Sequence, residues 1–318
     1  MSHSSPHATT GETSETSTAE TPDTADTTAL APAETDRFAY GGQSAASLVT
    51  DRWRAASASV TGPSHARKDK PCEDAAAAGT RGEWFVAAVC DGAGSARLGG
   101  RGAEMAAARI VEEMLARAGD LESDAAPGEA AIEAFVVGAL TAAREHMVEV
   151  AKAESVLIQA LSATVVGAAW RDDLTILFHI GDGAAVALAG SGDLLAASTG
   201  DEQEYANETY FLTDSSWRKW LRIQTVSGVE SLLLMTDGVT PFALELKTPK
   251  VPFIGPVLEF LRTNDVDRGA LALQRLLDKA EARAIQDDKT FLWAQRVIPP
   301  VGETHAADTA VDTAELDR

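Results

Sequence analysis

Residues 84–92 read Trp-Phe-Val-Ala-Ala-Val-Cys-Asp-Gly, an apolar run that stops at an acidic residue followed by glycine. A continuous apolar run of this length, bounded by turn-forming residues, is typical of a strand that is buried on both faces. Residues 231–238 repeat the pattern as Ser-Leu-Leu-Leu-Met-Thr-Asp-Gly. The sequence therefore predicts two buried strands, Trp84–Cys90 and Ser231–Met235, each leading into an Asp-Gly pair.

Outward from these two runs, short strand-like segments are interrupted by longer amphipathic ones. Further strands are predicted at Trp53–Val60, Ser162–Trp170, Leu174–Ile180, Ala184–Leu188, Leu194–Ser198 and Thr290–Ala294. The strands between 162 and 198 are separated by Gly- and Asp-rich turns that suit antiparallel hairpins. Apolar residues at helical spacing predict three helices, around Ala103–Leu115, Ile132–Val150 and Leu273–Ala280. Hairpins and separate helices together indicate an α+β fold in which helices cover antiparallel sheets.

The 318-residue chain is strongly acidic, with 27 Lys and Arg against 48 Asp and Glu and a formal net charge of −21. Binding to nucleic acid or to an anionic membrane surface needs clustered Lys and Arg, so neither partner is expected. No apolar run approaches the ~18–20 residues of a membrane-spanning helix. The sequence therefore predicts no membrane partner.

Both ends of the chain are expected to be disordered acidic tails, because they contain few apolar residues that could offset the entropy of ordering. The predicted boundaries are a Thr-rich tail over 1–36, one folded domain over 37–300 and a second tail over 301–318. Cys72 and Cys90 cannot form a disulfide framework, and the first residues lack the basic and apolar regions of a secretory signal. These features predict a cytoplasmic protein with reduced cysteines.

Acidic residues recur at the ends of the predicted strands, where the sheet fixes the backbone and a side chain can reach a shared cleft. They are Glu73, Asp74, Asp91, Asp182, Asp237, Asp287 and Asp288. Carboxylates that converge in one cleft repel one another unless cations neutralise them. Oxygen ligands suit hard ions such as Mg²⁺ or Mn²⁺, and two such ions ~3.5–4 Å apart lower the pKa of a bridging water. These residues are candidates for a hydrolytic site with two ions.

Six short segments follow one another in an order and spacing that is informative as a set. They are Pro71-Cys72-Glu73-Asp74-Ala75, Val89-Cys90-Asp91-Gly92-Ala93-Gly94, Ser162-Ala163-Thr164, Gly181-Asp182-Gly183, Leu233-Leu234-Met235-Thr236-Asp237-Gly238 and Asp287-Asp288-Lys289-Thr290. In this order the chain resembles the protein phosphatase 2C family, the metal-dependent Ser/Thr protein phosphatases, in its bacterial form. The resemblance implies a central antiparallel β-sandwich flanked by pairs of helices, with two Mn²⁺ or Mg²⁺ ions at one edge. It also implies hydrolysis of phosphoserine and phosphothreonine esters by a water held between those ions.

The resemblance assigns roles to individual residues. Asp91 would bridge the two ions and so hold the nucleophilic water, and the carbonyl group of Gly92 would be a ligand. The remaining ligands, direct or through water, would be Asp74, Asp237 and Asp288, with Glu73 beside them.

The resemblance also bears on a third ion, on a substrate flap and on the general acid. Asp182 corresponds to the Asp of the family's Gly-Asp-Ser motif, which would hold a weaker third ion. The stretch from about 200 to 220 falls at the family's variable flap, which would influence the choice of substrate. Eukaryotic members have a His as general acid two residues after the bridging Asp, and Ala93 stands there in this chain. Protonation of the leaving group would then come from metal-bound water or from another group.

The chain also departs from the family at the group that binds the phosphate. Many members have an Arg four residues before the Glu of the Glu-Asp pair, and Asp69 occupies that position here. The positive charge could come from Arg67, Lys68 or Lys70, or His65 could donate to the phosphate. The sequence leaves these alternatives open.

Two other interpretations compete with the phosphatase. Residues 92–97 follow a strand and precede a helix, as a dinucleotide-binding loop does, but Arg97 stands at the third glycine position. A catalytically weak phosphatase-like module that binds phosphoproteins and regulates a partner is the main alternative. The expected partners of the enzyme are a phosphoprotein substrate and a cognate Ser/Thr kinase, and His146 and His179 are interpreted as structural residues.

Overall fold

The computed structural model of the chain describes residues 36–121, 127–200, 209–279 and 282–297. Its strands are β1 (Arg37–Gly41), β2 (Ser44–Val49), β3 (Trp53–Val60), β4 (Asp74–Arg81), β5 (Trp84–Asp91), β6 (Val165–Arg171), β7 (Leu174–Ile180), β8 (Ala184–Leu188), β9 (Leu194–Thr199), β10 (Arg222–Val226), β11 (Ser231–Met235), β12 (Leu244–Glu245), β13 (Thr248–Pro249) and β14 (Lys289–Arg296). Its helices are α1 (Pro63–Ala66), α2 (Gly99–Ala116), α3 (Glu129–Ala153), α4 (Trp217–Trp220), α5 (Thr240–Ala243), α6 (Val251–Thr263) and α7 (Val266–Leu277).

The long strands form two six-stranded sheets. The first has the order β1-β4-β5-β6-β7-β10 and the second the order β2-β3-β14-β11-β8-β9. Every neighbouring pair of strands in these two sheets runs antiparallel. A dinucleotide-binding loop at 92–97 would need parallel strands joined by crossover helices, so the sheets exclude that interpretation.

The two sheets pack face to face, and helices cover their outer faces. On the first sheet α2 contacts β4 and β5 and packs against α3, and on the second sheet α7 contacts β2 and β3 and packs against α6. Between the sheets, the ring of Trp53 lies 4.7 Å from that of Trp170 and 5.5 Å from that of Phe85, measured between centroids. This order of layers confirms the predicted α+β sandwich flanked by pairs of helices.

The element boundaries show which sequence patterns are reliable in this chain. Four predicted strands, Trp53–Val60, Leu174–Ile180, Ala184–Leu188 and Ser231–Met235, begin and end at the predicted residues. The third predicted helix is α7, which begins and ends earlier than expected. Helix α6 was missed, because Pro252 and Pro256 interrupt its apolar pattern. The resemblance implied a second pair of helices, but only the structure locates its first member.

Two sequence predictions concern parts of the chain beyond the described residues. The predicted tails, 1–36 and 301–318, lie outside them apart from Asp36. Among the helices of the described ranges, none combines the length and the apolarity needed to cross a bilayer.

Replacing Trp53 with alanine should remove a large aromatic contact between the sheets. The side chain is 2% exposed, so the Trp53→Ala substitution should lower the free energy of unfolding by about 3–5 kcal/mol. Urea denaturation followed by circular dichroism measures this change. Leu157→Ala is the control, because Leu157 is 77% exposed, and a loss as large there would show that the effect at Trp53 does not come from burial.

Candidate metal centre

The sequence-predicted acidic residues gather at one end of the sandwich because of the strand register. Asp74 begins β4, Asp91 ends β5, and the two residues are paired across these neighbouring strands. Asp237 follows β11, and Asp288 precedes β14, the neighbour of β11 in the second sheet. Asp182 lies in the connection from β7 to β8, which joins the two sheets. Both sheets therefore contribute carboxylates to the same edge.

Three of these carboxylates form a compact group that we call the acidic triad, namely Asp91, Asp182 and Asp237. One oxygen from each residue lies within 4.8 Å of an oxygen from each of the others. The three residues come from the end of β5 and from the connections after β7 and β11, so the fold and not the local sequence brings them together. The structure thus places three of the sequence-predicted ligands close enough to share a cation.

The electrostatics of the site show how unfavourable this arrangement is for a protein without cations. Burial, and then the charges of Asp74 and Asp237, raise the pKa of Asp91 well above its usual value. Burial and the charge of Asp288 do the same to the pKa of Asp74. The pKa of Asp237 is raised to about 7 by burial and by the charges of Asp182 and Asp287. The carboxylates therefore need protons or cations to balance one another.

The donor atoms of the site suit a hard divalent cation. Within the described residues, Asp74 Oδ1, Asp182 Oδ1 and Asp237 Oδ1 are buried oxygens with no hydrogen-bond partner. Buried polar atoms are ordinarily hydrogen-bonded, so oxygens left without a partner indicate that something else binds them. Because the atoms are all carboxylate oxygens, Mg²⁺ and Mn²⁺ fit them better than softer metals do.

Two threonines hold the backbone of Asp91 and the carboxylate of Asp74 in place. The backbone N–H of Asp91 donates to Thr164 Oγ1 at 3.0 Å, and the N–H of Thr164 donates to the carbonyl oxygen of Asp91 at 2.9 Å. On the second sheet, Thr236 Oγ1 donates to Asp74 Oδ2 at 2.9 Å and accepts from the N–H of Thr290 at 3.0 Å. The sequence showed both threonines as parts of motifs, and the structure identifies them as supports for the carboxylates.

Glycine is required after two of the aspartates because the backbone there is closely packed. A Cβ atom at Gly92 would overlap the backbone of Gly99, where α2 begins. A Cβ atom at Gly238 would overlap the carbonyl oxygen of Asp288. The two Asp-Gly pairs therefore bring their loops into close contact with neighbouring segments, which the pattern alone did not show.

Asp288, a predicted ligand, differs from the other aspartates in having both oxygens engaged by the protein. It accepts hydrogen bonds from the backbone N–H groups of Gly62 and Glu73 and from the ring of His65. His65 is itself buried and also lies 3.6 Å from Glu73 through its Nε2 atom. The structure thus holds His65, a candidate for binding phosphate, between two carboxylates.

Asp287 is a residue to which the sequence assigned no separate role. Its charge contributes to the raised pKa of both Asp91 and Asp237. Its side chain is exposed, and its Oδ1 accepts a hydrogen bond from the N–H of Asp288 at 2.9 Å. The Asp287-Asp288 pair predicted a carboxylate just before β14. The sequence did not show which of the two residues carries the charge that acts on Asp91 and Asp237.

The basic residues near the site differ in how the protein holds them. The Arg67 guanidinium donates to Gln286 Oε1 at 2.8 Å, directly beside Asp287. Lys70 lies 3.5 Å from Glu73 Oε1, and Lys68 and Asp69 are exposed. Among these basic side chains of the described residues, Arg67 is the one that hydrogen-bonds to the loop carrying Asp287.

The two other histidines of the folded domain lie where the sequence predicts them, one on a helix surface and one in a strand. His146 is exposed on α3. His179 is buried, and burial lowers its pKa to about 4. Its Nε2 donates to the carbonyl oxygen of Gly181 at 2.9 Å, which steadies the backbone beside Asp182.

The segment predicted to be a flap, about 200–220, is described only in part, since 201–208 lie outside the described residues. Where the description resumes, Thr209 Oγ1 donates to Asp182 Oδ2 at 2.7 Å. The ring of Tyr210 stacks on that of Trp220 with 3.5 Å between centroids. The described end of this segment is therefore in contact with the acidic triad.

Comparison with known proteins gives consistent matches. A family model described as protein phosphatase 2C matches residues 61–278, which include the acidic triad. The serine/threonine-protein phosphatase 3 of Escherichia coli K12 is 30% identical over 259 residues, which are 76% of this chain and 99% of that protein.

Solved structures give matches as well. The serine-threonine phosphatase 2C from Toxoplasma gondii is 10% identical, covers 82% of this chain and 99% of its own, and has a TM-score of 0.57, so it shares the fold. The catalytic domain of the phosphatase PstP, solved with two manganese ions, is 19% identical, covers 78% of this chain and 99% of its own, and has a TM-score of 0.47.

The raised pKa values predict that the metal-free chain loses stability as the pH rises. A carboxyl with a raised pKa in the folded state binds more protons there than in the unfolded chain, so its stabilising effect is lost between its ordinary pKa and its folded pKa. For Asp237 this window runs from 3.8 to about 7. In chelator at pH 8, Asp237→Asn should therefore raise the free energy of unfolding, by on the order of 1–2 kcal/mol.

Thermal unfolding in chelator at pH 5 to 8 measures this effect, with Asp193→Asn as the control because Asp193 lies in an exposed turn. The stability difference between Asp237→Asn and the wild type should grow with pH, whereas that of the control should not. A difference for Asp237→Asn that stays flat across this range would contradict the electrostatic account.

Proposed function

This chain belongs to the protein phosphatase 2C family, and we propose that it hydrolyses phosphoserine and phosphothreonine esters of proteins with the help of divalent cations bound at the acidic triad. The family assignment rests on the match over 61–278 and on the relative that is 30% identical over nearly its whole length. Members of this family are metal-dependent Ser/Thr phosphatases, so the chain is a hydrolase of phosphomonoesters. The observation that carries the proposal is the acidic triad, with carboxylate oxygens within 4.8 Å of one another.

We assign the cation-binding residues from the acidic triad, from the buried carboxylate oxygens without a hydrogen-bond partner and from the charges that act on these groups. The proposed ligands are Asp74, Asp91, Asp237 and Asp287 together with the carbonyl oxygen of Gly92, while Asp182 would hold a third ion. Asp287 takes the place that the resemblance gave to Asp288, since its charge acts on Asp91 and Asp237 and since both oxygens of Asp288 are engaged by the protein.

The proposed cations are Mn²⁺ or Mg²⁺, because every proposed donor is an oxygen atom. Two such ions, when bound, lower the pKa of a shared water and balance the charge that develops on the phosphate oxygens. The contribution of the chain is to hold the carboxylates at a fixed spacing before the substrate arrives. Thr164 and Thr236 do this through the hydrogen bonds that they make to Asp91 and Asp74.

For the capture of the phosphate we favour Arg67 among the candidates. His65 is buried between Asp288 and Glu73, and Lys70 is close to Glu73. The guanidinium of Arg67 is exposed and held by Gln286 next to Asp287, at the rim of the site. A guanidinium can bind a phosphate through two parallel hydrogen bonds, which favours it over the exposed ammonium of Lys68.

A histidine general acid is absent from the proposed mechanism. Ala93 occupies the position of the family's His. His179 has a pKa of about 4, so it is neutral near pH 7, and its Nε2 proton is used in the hydrogen bond to Gly181. We propose that the leaving oxygen takes its proton from solvent.

We also propose the partners, the cellular compartment and the domain boundaries of the enzyme. The substrate would be a phosphoprotein and the opposing partner a Ser/Thr kinase, which places the enzyme in signalling. The free, buried thiols of Cys72 and Cys90 support a reducing compartment such as the cytoplasm. We propose one phosphatase domain over 37–300, because the two sheets take their strands from Arg37 to Arg296.

Replacing Asp91 with asparagine should abolish metal-dependent turnover, because it removes one charge from the centre of the acidic triad. We expect kcat for p-nitrophenyl phosphate and for a phosphothreonine peptide in Mn²⁺ to fall at least about 100-fold. Asp193→Asn is the matched control and should retain wild-type turnover. Wild-type turnover in Asp91→Asn would contradict the site assignment, and phosphopeptide binding without hydrolysis by the wild type would favour the catalytically weak module instead.

Arg67→Ala should raise KM for both substrates about tenfold with little change in kcat, because it removes a charge-assisted contact to the phosphate. Lys68→Ala is the matched comparison and should change KM less. Steady-state kinetics at several salt concentrations measures both variants. A larger effect of Lys68→Ala would transfer the role to Lys68.

A further inference from the structure

A buried carboxylate directly before β14 receives hydrogen bonds from two other segments of the site. Asp288 is 2% exposed. Its Oδ1 accepts from the N–H of Gly62 at 2.6 Å, and its Oδ2 accepts from the N–H of Glu73 at 2.6 Å and from His65 Nδ1 at 2.8 Å. Three donors thus converge on one side chain that can only accept hydrogen bonds when it is ionised.

His65 completes this arrangement from its buried position. Because the Asp288 carboxylate is an acceptor, the proton between the two residues belongs to Nδ1 of the ring. The other ring nitrogen, Nε2, lies 3.6 Å from Glu73 Oε2. A buried carboxylate without partners is strongly destabilising, and His65 together with the two amides offsets that cost.

The backbone around Asp288 extends this contact to the other acidic segments. The N–H of Ser64 donates to the carbonyl oxygen of Gln286 at 3.0 Å, so the segment 62–67 lies along 286–288. The carbonyl oxygen of Glu73 accepts from the N–H of Gly92 at 3.1 Å. The absence of a Cβ at Gly238 lets its backbone lie against the carbonyl oxygen of Asp288.

Each segment that carries a proposed ligand of the two main ions is therefore joined to Asp288 directly or through one further contact. Asp74 follows Glu73, Asp91 precedes Gly92, Asp237 precedes Gly238, and Asp287 precedes Asp288 itself. In that position a small displacement of the Asp288 carboxylate would move several ligands at once.

We propose that Asp288 and His65 act together as positioning residues that set the spacing of the cation ligands, and that Asp288 is not itself a ligand. The inference rests on the proposed metal centre. It gives the two residues of the Asp-Asp pair different roles, with Asp287 as a ligand and Asp288 as a positioning residue. The charge of Asp287 acts on Asp91 and Asp237, whereas the Asp288 carboxylate accepts its hydrogen bonds from the loop of α1 and from the start of β4. Residues that orient metal ligands in this way change metal affinity without removing a donor atom.

The first test is Mn²⁺ binding to the metal-stripped full chain, measured by calorimetry on the wild type and on Asp288→Asn. Asparagine keeps one acceptor but turns an N–H₂ group toward the N–H donors of the site. We expect the Kd for Mn²⁺ to rise about 10–100-fold, with an unchanged number of bound ions and with kcat recovered when Mn²⁺ is saturating. Loss of one ion from the stoichiometry, or a kcat that no Mn²⁺ concentration restores, would show that Asp288 is a ligand and overturn the proposal.

His65 provides the second test, which also covers the case in which Asp288→Asn does not fold. His65→Ala should weaken Mn²⁺ binding, and His65→Asn, which keeps a donor near the position of Nδ1, should restore part of the affinity. The double variant of His65→Ala and Asp288→Asn should lose no more affinity than the weaker-binding single variant, because the two residues act as a unit. Wild-type affinity in His65→Ala, or fully additive losses, would overturn the proposal.

Two further substitutions separate positioning from ligation and from the proposed activity. Asp287→Asn should lower kcat even at saturating Mn²⁺, in contrast to Asp288→Asn. Asp265→Asn, at the N-cap of α7, is the matched control and should leave both Mn²⁺ binding and kcat unchanged. If the wild type binds Mn²⁺ but does not hydrolyse phosphopeptides, the proposed function fails while the calorimetric comparison still decides the role of Asp288.

Discussion

The mutual repulsion of carboxylates at one end of the sandwich is the constraint to which the rest of the structure responds. The charges of Asp74 and Asp237, after burial itself, raise the pKa of Asp91. A fold that brings these groups together loses stability on their account, so the rest of the domain has to supply enough packing to tolerate them. The Trp53 ring, buried against Trp170 and Phe85 between the sheets, is one source of that packing.

Antiparallel sheets are well suited to hold such a group, because each strand ends where its neighbour begins. Pairing of β4 with β5 sets Asp74 opposite Asp91 without any contribution from loops. In the second sheet, the pairing of β11 with β14 brings Gly238, which follows Asp237, against the backbone of Asp288. Repulsion is then resisted by two rigid sheets packed face to face, and a cation entering between them meets ligands that need little reorganisation.

The sequence predicted the strands better than it predicted the directions of the side chains. Apolar runs bounded by Asp-Gly or Gly-Asp-Gly define the strand ends, and Ser231–Met235 was predicted to the residue for that reason. The sequence could not assign separate roles to Asp287 and Asp288. Successive side chains in an extended segment point to opposite sides, and the pattern does not show which side holds the site. The sequence indicates His65 only as a candidate phosphate contact, because its partner Asp288 is 223 residues away in the chain.

The departures from the family at the phosphate-binding position and at the general acid both affect how the phosphate would meet the proposed ions. The segment 62–67 lies along 286–288, and this contact brings Arg67 to Gln286 although the family places its Arg two positions later. The guanidinium of Arg67 is held by the loop that carries Asp287. A phosphate bound by Arg67 would therefore lie close to the proposed metal ions. With Ala93 in place of a histidine, the chain offers no protonated ring for the leaving group at that position. Its catalysis would then depend more on the exact spacing of the cations, which is the property that Asp288 and His65 are placed to control.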